Sequence, residues 1–120
     1  MEYILIMDKA FITVVETSSF ISAAKGCMTD DERAEAVDMI AQSPGCGDVL
    51  VGGGGIRKVR FPVGGRGKSG GVRIVYYYHD LTVPVFLLTV FAKNERANLS
   101  KEELSQLAKA AKTLAHNYGV

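Results

Sequence analysis

A chain of 120 residues, 48% hydrophobic and 22% charged, is long enough to bury about two-thirds of its unfolded surface, and residues 1–120 read as a single domain. Its formal net charge of +1 conceals a division: residues 1–48 carry three cations against nine anions, residues 49–79 carry six cations and no anion, and residues 80–120 carry five against four. Composition argues against disorder except at the glycines but not against a polyanionic partner, and the opening MEYILIM, with five consecutive apolar residues and no basic start, reads as neither signal peptide nor membrane span, so the cytoplasm is the expected compartment.

Phe11 to Glu16 (FITVVE) is short and β-branched, which predicts a first strand. Ser18 to Lys25 suits a short helix ending at Gly26. Thr29-Asp30-Asp31-Glu32 has the form of a capping box, and the periodic Val37, Ile40 and Ala41 extend a helix over residues 30–42 until Ser43-Pro44-Gly45 stops it. Asp48 to Val51 forms a brief extended approach to four glycines. Ile56 to Val63 then alternates: Val59, Phe61 and Val63 point to one face and Lys58 and Arg60 to the other, with Arg57 on the apolar side.

The stretch GGRGKSGG, residues 64–71, ends like a phosphate-binding loop, yet the glycine required five positions before Gly67 is Pro62, and a strand follows where a helix is needed. It reads instead as a hairpin tip bearing Arg66 and Lys68. Val72 to Asp80 is a strand, with Arg73, Val75 and Tyr77 on one face and Ile74, Tyr76 and Tyr78 on the other. Paired antiparallel with residues 56–63, it brings Arg73 to Lys58 and Arg60. The apolar run at residues 84–93 predicts a central strand. Ser100 and Glu103 form a second capping box, and a stripe from Leu104 to Tyr118 predicts a last helix terminated by Gly119. The order is βααβββα, an α+β domain with helices packed on an antiparallel sheet.

Six cations among glycines and aromatics suit a phosphate backbone, because Lys and Arg contacts to phosphate supply most sequence-independent affinity. RNA cleavage needs a 2′-hydroxyl deprotonated, charge held on the phosphorane and the leaving 5′-oxygen protonated. The basic segment has no carboxylate, and its one imidazole, His79, reads as a structural or exposed side chain. Lys58, close to Arg60 and Arg73, is then the candidate base, and the arginines, which keep their protons, hold phosphate. Cys27 and Cys46 are too few for a zinc site and are expected as free thiols. No metal or cofactor is expected.

The runs GGIRKVR (54–60), GK (67–68), GGVRIVYY (70–77) and LLTVFAKNE (87–95), taken together, resemble the RelE/HigB-type toxins of bacterial toxin–antitoxin modules. The resemblance implies a ribosome-dependent mRNA endonuclease that inhibits translation, with the ribosome, the message and a small helix-turn-helix, HigA-like antitoxin as partners. It places Lys58, Arg60 and Arg73 in the catalytic role and Arg57, Arg66, Lys68, Tyr77, Lys93 and Asn94 in RNA or ribosome binding. The better-known branch carries an arginine where Asn94 stands and a tyrosine near Leu99 and Ser100; their absence here brings the chain nearer the HigB-like branch and leaves the general acid unassigned. Two alternatives stay open: a ParE-like toxin acting on DNA gyrase, and a non-catalytic basic RNA-binding module.

Overall fold

The computed structural model describes residues 12–64 and 71–119. Its elements run β1 (Val14–Glu16), α1 (Ser18–Lys25), α2 (Asp30–Gln42), β2 (Asp48–Val49), β3 (Ile56–Phe61), β4 (Val72–Tyr77), β5 (Val85–Ala92) and α3 (Lys101–His116). The loop carrying Arg66 and Lys68, and Phe11 with the residues before it, lie outside the described residues.

Local chemistry fixes the helix starts. The Thr29 hydroxyl accepts from the Glu32 amide at 3.1 Å while the Glu32 carboxylate accepts from the Thr29 amide at 2.8 Å, and Ser100 and Glu103 repeat the arrangement at 3.1 and 2.9 Å. Thr17 caps α1 by accepting from the Phe20 amide and donates its own hydroxyl proton to the Leu87 carbonyl at 2.7 Å, tying the helix start to β5.

The strands form one sheet in the order β1-β5-β4-β3-β2. The α+β class is as the sequence predicts, but the sheet is mixed rather than wholly antiparallel, because β1 pairs parallel with β5. Two helices separate β1 from the next strand, so no hairpin dictates its direction, and it docks on the most apolar strand of the chain. A further difference is that the extended approach at Asp48 pairs antiparallel with β3 as a fifth strand.

Each face of the sheet has its own core. Phe20, Ala24 and Ile40 from α1 and α2 meet Ile74, Tyr76, Val85 and Leu87 on one side. On the other, Ala111 and Ala115 of α3 meet Ile56, Val75, Tyr77, Phe86 and Leu88. Phe20, Ile40, Ile56 and Phe86 are all essentially buried, each stabilising the fold by roughly 1.5–3 kcal/mol relative to exposure.

Candidate functional site

Strands β3 and β4 pair antiparallel with Arg60 directly opposite Arg73, Lys58 opposite Val75 and Ile56 opposite Tyr77. Alternation turns all six side chains to the α3 side, leaving Val59 and Phe61 for the other core. The helix covers the Ile56 end. At the other end Arg60 is exposed and Lys58 and Arg73 are half-buried, so the three cations predicted to meet do lie in one row.

Like charges directly opposed across a sheet repel. None of the three has an ion pair among the described residues, where the salt bridges join Arg33 to Glu16 and Asp30, His79 to Asp80 and Arg96 to Glu103. The Arg73 guanidinium makes a single 3.4 Å bond to the Val72 carbonyl, leaving most of its donors for another acceptor. An anionic ligand relieves this repulsion more than any neutral one.

Three residues that the sequence reading did not place now join the row. Asp48 on β2 stands opposite Lys58, and a cavity of about 510 Å³ is lined by Cys46, Asp48, Lys58, Val59, Arg60 and Arg73. The signal for this was present: four glycines after a short extended run invite a hairpin, and one centred on Gly53 pairs Asp48 with Lys58. Asn98 accepts a 2.9 Å bond from Lys58 Nζ, fixing the ammonium from the turn before α3. Arg96 lies with its guanidinium carbon 4.7 Å from the centre of the Phe91 ring and pairs with Glu103 at 2.6 and 2.8 Å. That bond, reinforced by the Ser100 amide, holds the Glu103 carboxyl down at about 2.

A bulge makes this possible. Val75 pairs with Thr89 but Tyr76 with Leu87, so Leu88 is the extra residue. Past it the alternation of β5 reverses, and Phe91 comes to face α3 opposite Arg73. Arg60, Arg73, Phe91 and Arg96 thus follow one another across the sheet.

Four other predicted site residues are not gathered there. Arg57 lies on the opposite face, where its Nη1 donates to the Gly47 carbonyl at 2.9 Å and the Gly45 carbonyl at 3.2 Å, and its guanidinium carbon is 5.7 Å from the centre of the Tyr78 ring. It holds a loop in place. Tyr77 is only 5% exposed and packs in the core beneath α3, so its ring is not a stacking platform; burial, then Asp80, pushes its phenol pKa up. Lys93 and Asn94 sit in the exposed turn after β5, and Asn94 lines a separate cavity with Lys25, Cys27 and Glu32. His79 is exposed and 3.5 Å from Asp80, away from the row. Cys27 and Cys46 are free thiols, and burial raises the pKa of Cys27.

Among the described residues no helix is long and apolar enough to cross a membrane. Residues 12–118 match the RelE toxin of the RelE/RelB toxin–antitoxin system. That match takes in both cores, the paired strands that align the cations and the helix beside them, and on its strength the chain belongs to the RelE toxin family.

Proposed function

We propose that this toxin is a ribosome-dependent mRNA endonuclease of the HigB-like branch, working in the cytoplasm to stop translation and neutralised by a helix-turn-helix antitoxin resembling HigA. The observation that carries the reading is Arg60 facing Arg73 with Lys58 two residues along, a row of cations with no carboxylate ion pair among the described residues. A ParE-like protein has no need of such a row, and a passive RNA-binding surface has no need of a carboxylate placed within it.

Arg73 and Arg60 grip the scissile phosphate and stabilise the charge that builds on it, since guanidinium groups stay protonated throughout. Asp48, opposite Lys58, takes the proton of the 2′-hydroxyl as its oxygen bonds to phosphorus. The bond from phosphorus to the 5′-oxygen breaks, and Lys58, oriented by Asn98, gives that oxygen its proton. A cyclic 2′,3′-phosphate and a free 5′-hydroxyl result, and solvent returns Asp48 and Lys58 to their starting forms. Lys58 was the base in the sequence reading; a carboxylate across the strand suits that task better and frees the lysine to act as acid.

The test is a cell-free translation reaction with a defined message, cleavage being mapped by primer extension. Cuts within the coding region that vanish when initiation is blocked support the reading. Binding without cuts points to the passive module, and gyrase inhibition without cuts to the ParE-like alternative.

A further inference from the structure

We infer, resting on the nuclease reading, that the Arg96 guanidinium is a stacking platform for the nucleobase on the 3′ side of the cut and so sets the base preference there. Arg96 is held flat. Its guanidinium carbon lies 4.7 Å from the centre of the Phe91 ring, which covers one face of its plane, and its Nη1 donates to both Glu103 oxygens at 2.6 and 2.8 Å. Both supports are fixed in turn. Phe91 is buried in the core beneath α3, and the Glu103 carboxylate also accepts from the Ser100 amide at 2.9 Å. The Arg96 side chain is still 39% exposed, so the face turned away from Phe91 is open.

Charge decides what that open face receives. Glu103 answers the charge of Arg96, which makes it a poorer phosphate clamp than Arg60 or Arg73, neither of which has an ion pair among the described residues. A planar group with its charge met suits an aromatic ring instead, since guanidinium planes stack on bases, and a side chain already immobilised loses little freedom when a base arrives. Tyr76 and Tyr77 of β4 are buried, and Tyr78 packs on the opposite face of the sheet, so none of these rings competes for the role.

Position decides which base it is. Phe91 stands opposite Arg73 on the neighbouring strand, about 4.8 Å across, and Asp48 lies on β2 at the other side of the cation row. In-line displacement sets the attacking 2′-oxygen and the leaving 5′-oxygen on opposite sides of phosphorus. With the 2′-hydroxyl drawn to Asp48, the leaving oxygen and its nucleoside point across β4 towards Phe91 and Arg96. The Lys58 ammonium, which protonates that oxygen, is held by Asn98, two residues from Arg96 in the same turn.

Two measurements on the parent and on Arg96→Lys test this. Lysine keeps a cation for Glu103 but has no plane, so a merely structural tie between β5 and α3 survives the change while stacking does not. The first measurement compares binding of 2-aminopurine riboside 5′-phosphate with that of ribose 5-phosphate by NMR titration. The parent should bind the base-bearing probe at least about fivefold more tightly and quench its fluorescence, and in Arg96→Lys the two probes should bind alike. Arg73→Ala should weaken both probes together. The second measurement is single-turnover cleavage, at subsaturating protein, of ribosome-bound messages that differ only in the nucleotide 3′ of the cut. The parent should cut before a purine, the larger plane, about threefold faster than before a pyrimidine, and Arg96→Lys should lose that preference. Equal binding of the two probes by the parent, equal cutting before purine and pyrimidine, or either preference surviving in Arg96→Lys overturns the inference. A parent that cuts no message overturns the nuclease reading instead, and the probe ratio then decides alone whether Arg96 carries a base.

Discussion

Asp48 and Lys58 meet across β2 and β3, ten positions apart in the chain, and the proton-transfer account depends on that pairing. Asp48→Asn keeps the size and the exposed position but removes the base, so single-turnover cleavage should slow by about 10²–10⁴ with stability almost unchanged. Lys58→Met should slow it comparably. A variant Asp48→Asn that cuts at the parent rate returns the base's role to Lys58. A second residue-scale expectation concerns Glu103, whose carboxyl is held at about 2 against an ordinary 4.5. A depressed folded value means that this pairing stabilises the fold fully above about pH 4.5 and is lost as pH falls towards 2. Carboxyl NMR should show that low midpoint, and Arg96→Ala should move it up towards 4.5. An unmoved midpoint shows that Arg96 is not its partner.

At the scale of elements, the loop between α2 and β2 decides where Asp48 sits. The Tyr76 hydroxyl donates to the Pro44 carbonyl at 2.7 Å and accepts from the Gly47 amide at 2.8 Å, while Arg57 takes the Gly45 and Gly47 carbonyls. Gly47 is required there, since a Cβ would lie 2.8 Å from the Tyr76 oxygen and 3.0 Å from the Lys58 carbonyl. Tyr76→Phe should therefore cost about 1–3 kcal/mol in urea unfolding, as it leaves the buried Gly47 amide without its acceptor. Desolvation raises the Tyr76 phenol above its ordinary 10.0, so the fold loses stability as pH rises beyond that value. The phenylalanine variant should lose less at alkaline pH, retaining the part due to Tyr77, which burial also raises. Little of this loop was legible in the sequence. Capping boxes announce α2 and α3 because their partners are three residues apart, and alternation assigns Lys58, Arg60 and Arg73 to one face because it is local. What Tyr76 and Arg57 hold, the parallel docking of β1 and the bulge at Leu88 depend on partners distant in the chain, and no short-range pattern encodes them.

Across the described residues, charge is sorted by position: the acidic amino-terminal part forms α1 and α2 on one face of the sheet, and Lys58, Arg60 and Arg73 of β3 and β4 open on the face that α3 partly covers. Purified protein should cut naked RNA poorly, since the row has no paired histidines to do the proton transfers and one exposed carboxylate to accept a proton. Efficient cleavage of free RNA without ribosomes contradicts the ribosome-dependent reading. The most direct measurement is the single-turnover cleavage rate of ribosome-bound mRNA, at saturating protein, for the parent and for Arg73→Ala. Arg73 sits opposite another cation, so its removal should leave stability within about 1 kcal/mol of the parent. The rate should fall by about 10²–10³, the loss found on deleting one preorganised donor to a transition state. A folded Arg73→Ala protein that cleaves at the parent rate contradicts the assignment of this row as the catalytic site.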